Sequence, residues 1–278
     1  MRYVIVDCGS VGLELARRWT DAGHQVVGTS PDPAQLSRIG AVCTEALLLS
    51  HGDGDRIREV VADAESAVLA ARPRFLYTQS PRERVTAYRR SMISVVRAAA
   101  SIQRRVVLFS SIVVYGDGGP GDGPVTEQTP VTTSLDPAAQ SFAAVERIVL
   151  ESPQATVLRL PEAVIGHPDD PDAVAVLRAM HQEVGGALPF DAAALIHVID
   201  YRDAAAAVAF AVEHHLTGVY NVVPDTVMPP TAEAFIGKLA ADAGLPPFTF
   251  AGELTAPTRP VSSAKLRAAG FTFAFTHA

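Results

Sequence analysis

The turn "VDCGSVGLELA" (residues 6–16) carries residue types that let a peptide backbone close on a phosphate. Glycines at Gly9 and Gly12 leave out the Cβ atoms that would hold a pyrophosphate away from backbone N–H groups, and Ser10 and Val11 lie between them. The two glycines occupy the second and third places of G-x-G-x-x-G, and Asp7 stands where the first would be. The chemistry is dinucleotide binding, or else this is a dinucleotide fold whose pocket has lost its ligand, since a carboxylate repels a pyrophosphate if it points inward. Thr29 and Ser30 end the second strand, with no acidic residue at its tip. A small polar tip admits a 2′-phosphate, which points to NADP rather than NAD, although no arginine follows at once. Ala71 and Arg72 lie just past the fourth strand, at the edge where ligands bind in open α/β sheets. Arg72 can pair a substrate carboxylate or phosphate there, or stand solvated in a loop.

Ser111, at the end of the fifth strand, is the best-placed polar group to touch a ligand, its alternative being to cap the strand end. Tyr115 offers a proton at the mouth of a cleft, or serves as its wall. The eight histidines show no metal-ligand spacing, so no metal is expected. The G-x-S-x-G elbow of an α/β-hydrolase does not occur. Cys8 and Cys43 fall in or beside buried elements and read as reduced packing residues.

The elements that must position these groups alternate. Strands are expected at "RYVIVDCG", "HQVVGTS", "GAVCTEA", "SAVLAA" and "RVVLFSS", with helices between them, the longest over 81–102. "SAVLAA" has no polar alternation, as in a strand covered on both faces. A glycine- and proline-rich loop, "YGDGGPGDGPVTEQTP", follows the fifth strand, and Asp122 and Glu127 within it read as surface residues. A helix then spans 136–150, and "ATVLRLPEAVIG" is expected as a sixth strand. Beyond Gly166 come helices at "DPDAVAVLRAMHQ" and "TAEAFIGKLAADAGL", a strand at "GVYNVV", and a short helix in "SSAKLRAAGFTFAF". The pattern is α/β, a doubly wound, mostly parallel, Rossmann-like sheet with a small C-terminal substrate lobe. The body is expected over 1–166 and 192–224, and the lobe over 167–191 and 225–278.

Bulk composition bounds the partners. The net charge of −7 disfavours nucleic acid and anionic membrane surfaces. No apolar run reaches the roughly 18–20 residues of a membrane span. The N-terminus reads as a strand entering a turn rather than a signal peptide, so a cytoplasmic location is expected. Only two of the 23 basic residues, Lys238 and Lys265, are lysines, which makes arginine a poor marker of phosphate binding here.

"CGSVG", "VVLFSSIVVYGD", "VTEQTP", the helix with Glu146, "VLRLPEAVIG", "IHVIDYRDAAAA", "GVYNVV" and "SSAKLRAAGF" recur in an order that resembles an atypical extended short-chain dehydrogenase/reductase of the NAD-dependent epimerase/dehydratase-like group. The resemblance covers nearly the whole chain. It implies a serine at the end of the fifth strand, a tyrosine on the following helix that moves the proton, and a lysine four residues later that lowers the phenol pKa. Ser111 matches the serine. Ala138 and Phe142 fall at the tyrosine and lysine positions, and neither Tyr nor Lys occurs anywhere in 116–200. By the same resemblance, Glu162 lies beside the nicotinamide position as a general base or turns to solvent, and His197 packs near the cleft. A homodimer through helices 81–102 and 136–150 is also implied.

The expectation is an enzyme with other groups in place of the Tyr–Lys dyad. It would isomerise, epimerise, eliminate or cyclise a small polar organic substrate, in specialised metabolism by analogy. Candidate catalytic residues are Ser111, Tyr115 and Glu162. The alternatives are a catalytically inactive dinucleotide or metabolite sensor, and a structural partner of another enzyme.

Overall fold

The computed structural model describes residues 1–71, 81–101, 104–133, 137–168 and 173–275. Six short runs from the first 160 residues and a seventh at Gly218–Asn221 form one parallel sheet. In chain order the first elements are β1 (Arg2–Val6), α1 (Ser10–Asp21), β2 (Gln25–Ser30), α2 (Leu36–Gly40), β3 (Glu45–Leu48), α3 (Gly54–Ala62) and β4 (Ser66–Leu69). The chain continues through α4 (Pro81–Ala100), β5 (Arg105–Ser111), α5 (Pro137–Val149), β6 (Thr156–Leu160) and β7 (Ala163–Ile165). The last elements are α6 (Ala173–Val184), β8 (Ala187–Phe190), β9 (Val198–Asp200), α7 (Tyr201–Glu213), β10 (Gly218–Asn221), α8 (Ala232–Asp242), β11 (Thr249–Leu254) and α9 (Ala264–Ala268).

The main sheet runs β3-β2-β1-β4-β5-β6-β10, parallel throughout. This is the doubly wound, Rossmann-like α/β order, in which the connections reverse direction between β1 and β4. Both faces are covered. Met92 and Val95 of α4 and Phe142 and Val145 of α5 join Ile57 and Val61 of α3 in one core layer. On the other face, Leu15, Ala16 and Trp19 of α1 pack with Ala204, Val208 and Ala211 of α7. Coverage on both sides explains why every residue of β4 is buried.

Close helix–strand approach depends on glycine at two points. A Cβ on Gly12 would lie 3.1 Å from both Cys8 Sγ and Ile5 Cγ2. At Gly28 it would lie 2.5 Å from Ile39 Cγ2 and 2.7 Å from Cys43 Sγ. The space over β2 is therefore filled by α2 and the segment that follows it.

That packing corrects one expected strand. Residues 40–43 of "GAVCTEA" are not extended; the N–H groups of Val42 and Cys43 both donate to Ile39 O, and β3 begins at Glu45. The apolar character of the stretch comes from burying Cys43 beneath Gly28. "ATVLRLPEAVIG" is likewise two strands. Pro161 has no N–H for the ladder, so β6 ends at Leu160, and β7 pairs instead with β9.

A smaller core joins Leu177 and Met180 of α6, Leu188 of β8, Ala194, and Ala232 and Ile236 of α8. Beside it β8 and β11, which sequence periodicity does not reveal, pair in parallel. The chain then returns to the main body. Leu266 and Phe271 enter the layer of α1 and α7, and the Asp203 carboxylate accepts from the N–H groups of Ala274 and Phe275, both at 2.9 Å. Among the described residues no helix is long and apolar enough to cross a membrane.

Gly28→Ala is expected to destabilise the fold by about 1–3 kcal/mol, because the new methyl meets packed side chains. Urea denaturation followed by circular dichroism measures this; an unchanged midpoint would show that the layer over β2 is loose.

Candidate active site

The carboxyl ends of β1, β2, β5 and β6 share one edge of the sheet. The turn after β1 begins at Asp7, which has φ +63°, a left-handed conformation uncommon outside glycine. Asp7 N donates to Thr29 Oγ1 at 3.2 Å and Cys8 N to Thr29 O at 2.7 Å, so the turn is stitched to the tip of β2. Gly9 is exposed, Ser10 and Val11 are half-buried, and Gly12 is buried against β1. A Cβ built on Gly9 meets nothing within 4 Å, so the space in front of this residue is open. Gly9 also begins α1 with no side-chain cap. Uncapped N–H groups behind an open glycine fit a pyrophosphate.

Thr29 and Ser30 are both buried. Their hydroxyls accept from backbone N–H groups, Thr29 from Asp7 and Ser30 from Asp32 at 3.1 Å. Ala71 is buried beyond the end of β4, and Arg72 lies outside the described residues. Cys8 and Cys43 are buried and free; the Cys8 thiol is held well above its ordinary pKa by its hydrogen bond with Cys43 and by burial.

Ser111 and Glu162 meet. Ser111 is the last residue of β5, in register with Leu160 of β6. Its Oγ accepts from Val113 N at 3.1 Å, capping the short 3₁₀ turn Ile112–Tyr115, and donates to Glu162 Oε1. Ser111 is fully buried, whereas Glu162, just past Pro161, is exposed. The pair therefore presents a carboxylate outward from a fixed hydroxyl, a geometry that can accept and return a proton.

Tyr115 is elsewhere. It is 1% exposed and its hydroxyl donates to Asn221 Oδ1 at 2.7 Å. Burial raises its pKa, partly opposed by the Arg159 guanidinium 4.7 Å from the ring centroid. A phenol so placed is a structural donor, which corrects the expected role at the mouth of a cleft. On α5, Phe142 is 2% exposed and packs in the core; the side chain of Ala138 lies outside those described.

Sequence reasoning missed the polar network beneath these residues. The Arg159 guanidinium donates through Nε to Glu146 Oε1 at 2.9 Å and through Nη2 to Oε2 at 2.6 Å. Ser110 Oγ donates to Glu146 Oε1 at 2.5 Å. Asn221 Nδ2 donates to Ser262 O at 3.0 Å, and Asn221 N donates to Glu127 Oε1 at 2.7 Å. Glu127 is thus a fastening of its loop rather than the surface residue expected, while Asp122 is exposed. The signal was present: a lone charge in "TVLRL" and a lone amide in "GVYNVV" need buried partners.

His197 is buried, accepts at Nε2 from Val261 N at 3.1 Å, and faces Leu195 O with Nδ1 at 3.2 Å. It is therefore neutral, with the proton on Nδ1, and burial lowers its pKa to about 4. Among the described residues no cluster of His, Cys, Asp or Glu could hold a metal ion.

Parallel sheet, glycine turn and strand order define a Rossmann-like α/β protein. The chain belongs to the NAD dependent epimerase/dehydratase family, whose model matches residues 8–223. Similar solved structures include the dTDP-glucose 4,6-dehydratase DesIV of Streptomyces venezuelae with NAD and TYD bound. It is 16% identical with TM-score 0.78, over 99% of this chain and 93% of that one. The UDP-glucose 4-epimerase of Thermotoga maritima with UDP-glucose is 14% identical with TM-score 0.75, over 99% and 94%. A short-chain dehydrogenase/reductase superfamily protein of Agrobacterium tumefaciens with bound NAD is 20% identical with TM-score 0.75, over 99% and 93%. At these identities the likeness is one of fold. No curated protein sequence matches the chain.

Glu146→Ala is expected to cost about 3–5 kcal/mol by leaving Arg159 buried and unpaired, and Glu146→Leu with Arg159→Met to cost less. Chemical denaturation of both variants decides this; equal costs would show that the pair is not coupled. His197 adds an acid dependence. Its folded pKa of about 4 lies below the ordinary 6.5, so its stabilisation is complete above pH 6.5 and falls away between 6.5 and 4, by up to about 3 kcal/mol. His197→Gln should flatten the dependence of Tm on pH in that window; an unchanged slope would assign the acid loss to other groups.

Proposed function

We propose that this chain is an enzyme of its family that holds a nicotinamide dinucleotide at Gly9–Gly12 and moves a proton on a small polar organic substrate through Glu162. The hydrogen bond between Ser111 and Glu162 carries this reading. It holds a carboxylate near the carboxyl ends of β5 and β6, while Phe142, which the family resemblance sets at the lysine position, is buried. A nicotinamide group, when bound, supplies reversible hydride transfer. The chain's own part is to accept a C–H or O–H proton at a Glu162 oxygen and return it to a different position or face. Ser111 fixes the carboxylate by donating to it. Isomerisation, epimerisation, elimination and cyclisation all use such a transfer; simple alcohol oxidation through a tyrosine is disfavoured by the absence of Tyr and Lys from 116–200.

Sugar nucleotides are natural first substrates to try, since similar structures hold UDP-glucose or TYD. We also propose a cytoplasmic homodimer. The resemblance to its family, in which the helices corresponding to α4 and α5 pair, is the ground for it.

The test is calorimetric titration with NAD⁺, NADH, NADP⁺ and NADPH, followed by deuterium uptake from D₂O into offered sugar nucleotides. At least one dinucleotide should bind. Glu162→Gln should leave that affinity within about twofold and abolish deuterium uptake. Absence of dinucleotide binding at millimolar concentration overturns the cofactor assignment, and full uptake by the variant overturns the role of Glu162.

A further inference from the structure

Asp7 occupies the place of a glycine and so reads from the sequence as an obstacle to a pyrophosphate. Its structure gives it a different job. We infer that Asp7 is the carboxylate that receives the adenine-ribose hydroxyls of the dinucleotide, and that it selects NAD(H) over NADP(H). This rests on the dinucleotide reading above.

Placement is the first argument. The backbone of Asp7 is tied to Thr29 at the tip of β2, and Asp7 Oδ2 lies 3.8 Å from Nε2 of His51, which follows β3. β3 is two strands from β1, with β2 between them. Asp7 Oδ2 and His51 therefore meet beside the tip of β2, to which the Asp7 backbone is tied. In doubly wound folds this is where an acidic side chain receives the ribose 2′-hydroxyl, ordinarily from β2 itself. Here β2 ends in Thr29 and Ser30, which carry no carboxylate and are buried with their hydroxyls accepting from backbone N–H groups. Asp32, beyond Pro31, turns its Oδ1 to its own chain, accepting from Ala34 N at 3.0 Å as the cap of the following turn.

Conformation and chemistry are the second argument. Glycine would hold φ +63° without strain, and aspartate is among the few other residues that tolerate it. The side chain thus reaches the ribose region while the turn keeps the shape that opens Gly9. His51 Nε2 is buried without a hydrogen-bond partner, so an imidazole nitrogen also faces this corner. A ribose diol can donate to the Asp7 carboxylate, forming charge-assisted bonds. A 2′-phosphate brings negative charge against it and offers no proton. The competing cation is Arg38 on α2, which bears electrostatically on Cys8 and donates to Gln35 Oε1 at 3.2 Å. The pull toward NADP drawn from a polar β2 tip is therefore replaced by a carboxylate from the neighbouring turn.

The experiment is calorimetry of NADH and NADPH with the wild-type chain, Asp7→Asn and Asp7→Gly, with thermal unfolding as the check on folding. Both substitutions suit a positive φ, so at least one folded variant is expected. Wild type should bind NADH at least about tenfold more tightly than NADPH. Each variant should lose about tenfold in NADH affinity and bring the two affinities within about threefold, the scale of a lost hydrogen bond to a charged group. A wild-type preference for NADPH, or a ratio unchanged in both variants, overturns the inference and leaves the dinucleotide reading intact. If neither nucleotide binds, the dinucleotide reading falls and takes this inference with it.

Discussion

The layout of the sheet's carboxyl edge depends on one buried ion pair, Glu146 with Arg159. Two charges under the sheet's carboxyl edge are costly unless every polar atom is used, and here they nearly all are. Arg159 gives two bonds to Glu146 and lies over the ring of Tyr115; Ser110 gives Glu146 a third bond. Through the Tyr115–Asn221 bond the network reaches β10, and from Asn221 it reaches Glu127 of the glycine-rich loop and Ser262 near the C-terminus. Helix α5, three strands and two loops are thus held in one arrangement. Ser111 is the next residue after Ser110 and inherits its position from that anchoring.

This explains what the helix over 137–149 still does. Its Glu146 face is polar and fully committed, and its Phe142 face is core. Neither faces a proton to be moved. At the strand ends, Ser111 meets Glu162. On the function proposed above, the base stands at the sheet edge, where a buried hydroxyl fixes an exposed carboxylate.

Much of the fold was legible because burial on both faces writes long apolar runs into strands such as "SAVL" and "RVVLFSS", and caps and glycines mark the helices between them. Errors arose where one apolar run served two structures. Pro161 split "ATVLRLPEAVIG" between two sheets, and Cys43 was apolar because it fills the space above Gly28, not because it lies in a strand. The site was partly legible. The sequence placed Ser111, Glu162 and the glycine turn at strand ends, as the structure does, but the partner of a hydroxyl was not legible, and Tyr115 meets Asn221. The orientation of Asp7 was out of reach, since it depends on a positive φ and on His51, 44 residues away in sequence.

The central claim is that the turn after β1 closes on a dinucleotide. Amide hydrogen exchange by mass spectrometry, with and without NADH, addresses it at the residues concerned. The account predicts slowed exchange of the amides over 9–13 and of those beside His51, with little change at the distant face of α4. Unchanged exchange over 9–13 at millimolar NADH would contradict it.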